Sequence, residues 1–248
     1  MIPGNTYITL ARGFGEYKIN NIYHLGEQED IGGGELLRLS LQKFLAVPVD
    51  GYIIAEKQRI ENKKQEEKTE ETRLTFLYRC LFKKKCQTNF TVKDLFFVWF
   101  RIANLNFRDI KLFNLWEMKA VDKEKLPDET IIFRVDQLKM DELSFQLFSN
   151  SRVLNEEITV SIYNSTDQPG LAQETARLVR NIGAEVIDVS NKHNQKKESF
   201  LYYKNERIRE SYTLERLKKT YPVLKVKENK SLEEDISLVL GKDMESFF

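Results

Sequence analysis

The sequence predicts an α/β fold in two parts, and three observations carry that prediction. The stretch "SIYNSTDQPGLAQETARLVRNIGAEVIDVS", Ser161 to Ser190, reads as strand, polar turn, helix, glycine stop and second strand. Strand-like and helix-like runs then keep alternating to the end, as "ESFLYYK", "TLERLKKTYP", "VLKVKE" and "DISLVLGK". The first half repeats the alternation in "ELLRLSLQKFLAV" followed by "VDGYIIAE". Such alternation implies a sheet covered by helices and joined by right-handed crossovers.

Taken in order, Gly32-Gly33-Gly34 precedes a helix whose Leu36, Leu37, Leu41, Phe44 and Leu45 share one face. Pro48 stops it, and "VDGYIIAE" is a short strand. Glu56 to Thr72 is dominated by Lys and Glu and reads as a charged connector. "LTFLYRCLFKKKC" is a short helix, and "TNFTVKDLFFVWFRIANL" is a second one opening on a capping box of Thr91 and Asp94. Its Phe, Trp and Leu residues are expected in the core. "DIKLFNLWEM" and "ETIIFRVD" read as strands, and "LFSNSRVLNEE" as the junction between the parts, with the boundary at Ser149 to Asn155. Beyond it come strand "ITVSIYN", helix "GLAQETARLVRNI" with Leu171, Ala172, Thr175, Leu178, Val179 and Ile182 inward, and strand "AEVIDVS" after Gly183. Thr213 is expected to cap the last helix, which stops before Pro222.

Composition narrows the function. The chain has 248 residues, 41% hydrophobic and 31% charged, and buries enough surface to fold without a disulfide or metal. Lys+Arg 39 against Asp+Glu 38 gives a net charge of +1, so no bulk field draws nucleic acid. Cys80 and Cys86 stand six residues apart, outside C-x-x-C spacing, and read as two buried or half-buried thiols. With His24 and His193 as the only histidines, no zinc site is expected and no metal ligands are assigned. "MIPGNTYITLARGFGEY" lacks the basic and apolar regions of a signal peptide, and the longest strongly apolar run, Leu95 to Phe100, is too short to cross a membrane.

The βαβ pattern raises a nucleotide site, and the turn argues against it. "NSTDQPGLA" has one glycine where a dinucleotide fingerprint needs three, and it has no Gly-Lys-Ser/Thr. Asp188, 18 residues after Gly170, stands where a ribose-binding acid would, which alone is weak. Asn164, Ser165, Thr166 and Asp167 read as turn and cap oxygens before a helix whose free N–H groups could meet an anion.

"ITVSIYNSTDQPGLAQETARLVRNIGAEVIDVSN", "FLYYKN" and "DISLVLGKD" together resemble the C-terminal LytR domain, over about residues 157–243. Asn164, Gly170, Leu171, Ala172, Gly183, Leu240, Gly241 and Asp243 fall on that family's positions. Upstream, "LARGFGEYKINNIYHLGE", "GGGELLRLSLQKFLAVPVDGYII" and "TNFTVKDLFFVWFRIANLNFRDIKLFNL" resemble a LytR-CpsA-Psr domain. The resemblance implies a divergent, truncated LytR-CpsA-Psr-like domain over 1–150, with the connector at 56–72, and a LytR C-terminal domain over 155–243. It also implies an envelope setting, because members transfer phosphate-linked glycopolymers from a polyprenyl carrier to peptidoglycan, usually with magnesium.

Arg12 falls on the arginine of the family's "PRD" motif, and Lys18 and Asn20 on its "KINAAY"-like motif. With Arg38, these are the candidate ligand-binding residues. The motif's aspartate is replaced by Gly13, the Asp-rich metal positions and upstream anchor have no counterpart, and neither does the arginine-rich "GRxxRQ"-like helix. Such losses remove charge stabilisation on the order of several kcal/mol. The expectation is a non-catalytic, envelope-associated protein with no catalytic residue assigned, and magnesium by resemblance only. It would bind or scaffold where a polyprenyl-pyrophosphate-linked glycopolymer meets peptidoglycan, with no nucleic acid, and with membrane contact only through an upstream anchor. Two alternatives stay open: an active glycopolymer phosphotransferase lacking its N-terminus, and a cytoplasmic transcriptional regulator.

Overall fold

The computed structural model describes residues 2–55, 86–103, 113–115, 118, 120–125, 129, 131–192 and 194–248. Strand β1 (Tyr7–Thr9) pairs antiparallel with β2 (Glu16–Lys18) across a 3-10 turn at Ala11–Gly13. Helix α1 (Ile19–Gln28) follows directly and packs on α2 (Gly33–Leu45). Leu36, Leu39 and Phe44 of α2 are buried, and Leu37, Leu41 and Leu45 pack around the same core with Ile8, Leu10, Ile22 and Met140. Ala46 ends the helix in the left-handed region, at φ 47°.

Strand β3 (Ile53–Ala55) pairs antiparallel with β4 (Cys86–Thr88), which leads into α3 (Val92–Ala103). The capping box forms as the sequence predicts: Thr91 N donates to Asp94 Oδ2 at 3.0 Å, and Asp94 N to Thr91 Oγ1 at 3.2 Å. A hairpin of β5 (Val121–Lys125) and β6 (Ile131–Val135) joins the N-terminal strands through a Thr6–Phe133 bridge. Helices α4 (Gln137–Phe148) and α5 (Ser151–Glu156) then lead to the second part.

That part is one five-stranded sheet. Its elements are β7 (Thr159–Asn164), α6 (Leu171–Asn181), β8 (Glu185–Asn191), β9 (Phe200–Tyr203), α7 (Glu206–Arg209), α8 (Tyr212–Thr220), β10 (Lys225–Glu228) and β11 (Ile236–Leu240). The order is β10-β9-β11-β7-β8. β7–α6–β8 and β9–α7–α8–β10 are two parallel βαβ units of opposite direction, and β11 fills the gap between them, parallel to β7 and antiparallel to β9. β11 is the central strand, and "ISLVL" is apolar at all but one position and buried at every one.

Alternation sorts the sheet's faces. Val160, Ile162, Leu201, Tyr203, Ile236, Leu238 and Leu240 point into a core closed by Leu171, Ala176, Leu178 and Val179 of α6 and by Leu214 and Leu217 of α8. β8 carries a bulge: Val160 pairs with Val186 but Ser161 with Asp188, skipping Ile187. The extra residue lets Val186 and Val189, three apart, both pack on the core and leaves Ile187 53% exposed.

Polar contacts join the two parts. Arg177 of α6 forks onto Asp141 of α4 at 2.8 and 2.6 Å, Lys43 meets Glu174 at 3.2 Å, and Asn181 Nδ2 donates to Ala46 O at 3.1 Å. Glu156, closing α5, accepts from Tyr212 N (2.7 Å), Thr213 N (2.8 Å) and Thr213 Oγ1 (2.6 Å), which satisfies open donors at the start of α8. Burial pushes the Glu156 pKa up, but the Thr213 hydroxyl, the two backbone N–H groups and the charge of Arg207 outweigh it and hold the carboxyl below its usual range. A depressed folded-state pKa means stability that is present above the unfolded value of 4.5 and lost as pH falls through the folded one. Glu156→Gln is therefore expected to lose less stability than the parent between about pH 5 and pH 3 in urea melts. Parallel acid profiles would refute this role.

Several expectations need correction. Phe96, Phe97, Trp99 and Phe100 of α3 are not core residues: they are 61, 57, 40 and 55% exposed. Apolar side chains ring most of this helix, and a single buried stripe cannot take them all, so among its described side chains only Leu95 and Val98 become half-buried. The cap of α8 is Ser211, whose Oγ accepts from Leu214 N at 3.2 Å, while Thr213 lies one turn inside and serves Glu156. "SRVLNE" in the expected junction is helical, started by Asn150. Cys86 is disulfide-bonded rather than a thiol, a state that spacing alone does not reveal. The connector at 56–72, Cys80, His193, the run before Cys86 and most of "DIKLFNLWEM" lie outside the described residues.

Candidate functional site

A cleft of about 470 Å³ opens between α2 and the end of α8. Helix α2 presents Glu35, Arg38 and Gln42 to it, at i, i+3 and i+7, one polar stripe along the helix. Asp50 follows the helix, Asn89, Phe90 and Asp94 stand at the start of α3, and Lys219 and Phe247 close the far side. Gly34 lets the wall approach, because a Cβ there would meet the Tyr52 ring at 2.2 Å.

Both cations of the cleft are paired. Arg38 Nε and Nη2 donate to Glu35 at 2.9 and 2.6 Å, and Nη1 donates to Val49 O at 2.8 Å. The Arg38 hydrogen bond, against some burial and with the charges of Arg38 and Arg12, holds the Glu35 carboxyl below its usual pKa. Lys219 pairs with Asp50 at 3.1 Å. Gln42 is different: it is 2% exposed, its Oε1 accepts from Val49 N at 3.2 Å, and its Nε2 has no protein partner. A buried amide donor without a partner is costly unless something supplies an acceptor.

Of the ligand-binding candidates, Arg38 lies in the cleft, and Arg12 is near enough for its charge to act on Glu35. Arg12 sits at φ 60° in the 3-10 turn, its N donating to Phe248 O at 2.8 Å. Lys18 and Asn20 are elsewhere: Lys18 Nζ lies 5.6 Å from the Tyr7 ring centroid, and Asn20 packs against Gly4. Glu35, Gln42, Asp50, Asp94 and Lys219 were not singled out as site residues from the sequence. For two of these positions, Glu35 and Gln42, a signal existed, the polar stripe they form with Arg38 on α2.

The three motif residues of the second part hold the fold. Asn164 is 4% exposed, and its side chain is saturated within the turn: Oδ1 accepts from Thr166 N and Oγ1 at 3.0 and 2.9 Å, and Nδ2 donates to Gln168 O at 2.9 Å. Gly170 is the N-cap of α6 at φ 81°, a left-handed position where no side chain caps the helix. The turn oxygens thus serve the turn and not the helix end. Asp243 accepts from Ser199 N at 3.0 Å and from Ser199 Oγ, and Ser199 Oγ in turn accepts from Gly241 N at 2.7 Å. Asp188 stands exposed on β8 with Ser190 Oγ as its hydrogen-bond donor at 3.2 Å.

Magnesium does not fit these residues. Among the described residues no three His, Cys, Asp or Glu side chains gather as a metal site, and Glu35 is already neutralised by Arg38. Nor is any helix among them long and apolar enough to cross a membrane.

Residues 157–243 match the LytR C-terminal family, described as LytR cell envelope-related transcriptional attenuator. This part of the chain is accordingly similar to LytR C-terminal domains. No curated protein and no solved structure matches the chain.

Proposed function

We propose, from that C-terminal domain and the cleft beside it, that the chain is a cell-envelope protein of LytR-CpsA-Psr type that binds a saccharide without transforming it. The ligand class is the sugar of a polyprenyl-pyrophosphate-linked glycopolymer or of peptidoglycan, and the role is scaffolding where the two are joined. The observation that carries this reading is the unpartnered Nε2 of buried Gln42 in a cleft whose two cations are both paired. Hydroxyl and carbonyl oxygens of a sugar satisfy that donor, Asp50, Asp94 and Asn89 supply acceptors, and Phe90 and Phe247 offer ring surface. A pyrophosphate would instead need uncommitted cations, and both cations lining the cleft are paired. The disulfide at Cys86 fits an oxidising compartment.

The test is a calorimetric titration with soluble peptidoglycan fragments and, separately, with farnesyl pyrophosphate and magnesium. The fragments are expected to bind saturably, at least fivefold more weakly to Gln42→Leu and to Arg38→Ala. No saturable binding of the fragments, or turnover of the pyrophosphate, would end this reading.

A further inference from the structure

We infer that the open face of the five-stranded sheet is a binding platform for an anionic polysaccharide strand, a site separate from the cleft and independent of it. The strand register sets its composition. Phe200 and Tyr202 of β9 stand level with Val239 and Ser237 of β11, and these with Tyr163 and Ser161 of β7. On the outer side Lys227 of β10 stands level with Tyr202. These residues alternate with those that face α6 and α8, so three half-buried aromatic rings lie on the side away from the helices. With Lys227 on β10 they reach across four strands, about 14 Å.

Three lysines lie over this floor. Lys192 Nζ is 3.8 Å from the Tyr163 ring centroid, and those of Lys227 and Lys196 are 4.7 and 5.2 Å from that of Phe200. None of the three is ion-paired among the described residues, whereas neighbouring Lys225 is held by Glu198 at 2.5 Å. An exposed ammonium held only by a ring is weakly held and free to exchange it for an anion.

The same rings argue for the class of ligand. Single-stranded nucleic acid stacks its bases on bare ring faces. Here ammonium groups overlie Tyr163 and Phe200, and Phe200 and Tyr202 stack on each other, 5.8 Å apart at 17°. A sugar chain bearing phosphate or carboxylate groups needs no open stack. It needs a row of cations above an apolar floor, and Lys192, Lys196 and Lys227 supply the row beside the Tyr202 hydroxyl, while the Tyr163 hydroxyl is engaged by Ser161 and by Asp188 at the β8 edge of the face.

The experiment is affinity electrophoresis of the full chain in gels containing dextran sulfate, neutral dextran or a single-stranded 20-mer oligonucleotide. Dextran sulfate is expected to retard the protein at least tenfold more strongly than neutral dextran. The triple variant Lys192→Gln, Lys196→Gln, Lys227→Gln is expected to lose that retardation with its melting temperature unchanged. Lys93→Gln, Lys123→Gln, Lys218→Gln, three exposed lysines elsewhere, should keep it. Equal loss in both triples, no preference for the sulfated chain, or tighter binding of the oligonucleotide would overturn the proposal. Because Gln42→Leu leaves this face intact, failure here and failure at the cleft read out separately.

Discussion

Asp243→Ala is expected to lower the stability of the chain by about 3 kcal/mol, with a fall in melting temperature of roughly 6–12 °C. The carboxylate is the partner of both donors of Ser199, a residue with 0% exposure, and through Ser199 Oγ it also fixes Gly241 N. Removing it strands buried donors beside the 3-10 turn Lys242–Phe247, which carries the buried Met244 and leads to the buried Phe248. Asp243→Asn keeps one acceptor and should fall in between. A melting temperature within a degree of the parent for the alanine variant would show that Asp243 does not hold the fold.

The second large effect is expected at the joint between α4 and α6. Arg177 and Asp141 are only 16 and 24% exposed at the side chain and make a bidentate pair. Asp141→Ala leaves a half-buried guanidinium without its counter-charge and should cost about 2 kcal/mol, discounted from the fully buried case for solvent access. Replacing both partners, Asp141→Leu with Arg177→Met, should recover most of that loss, because an apolar pair needs no desolvation of charge. Urea unfolding followed by tryptophan fluorescence and far-UV circular dichroism checks both. If the double variant is no better than Asp141→Ala, the pair is not the coupled unit the geometry describes.

The second part of the fold was legible because its signals are local. The inward face of α6, the stop at Gly183 and the strands β7 to β11 follow from periodicity and turn chemistry, which the sheet then reinforces. The insertion of β11 between two βαβ units was not legible, since strand order is decided by pairing between distant segments. In the first part, β1 and β2 are three residues each, too short for a periodic signal, and α1 holds polar residues at most of its positions. The aromatic run of α3 misled for a physical reason: hydrophobicity reports a preference for burial, not the presence of something to be buried against. At the cleft, Arg38 was found through a resemblance, but its commitment to Glu35 depends on rotamers, and Gln42 stands out only because its amide ends without a partner. Asn164, Gly170 and Asp243 lie within the matched span, and their work is to hold its turns.

The bulge at Ile187 has a consequence for crowding. An open sheet ends in two rows of unpaired backbone groups, each able to template another copy and seed a fibre. Here one terminal strand, β10, carries Lys227, whose charge, unpaired among the described residues, repels a second copy laid alongside. The other, β8, is kinked where Ile187 is skipped, so an incoming strand cannot stay in register along its length. Growth is refused at both ends. A protein gathered densely along a polymer can therefore be concentrated without nucleating cross-β assembly.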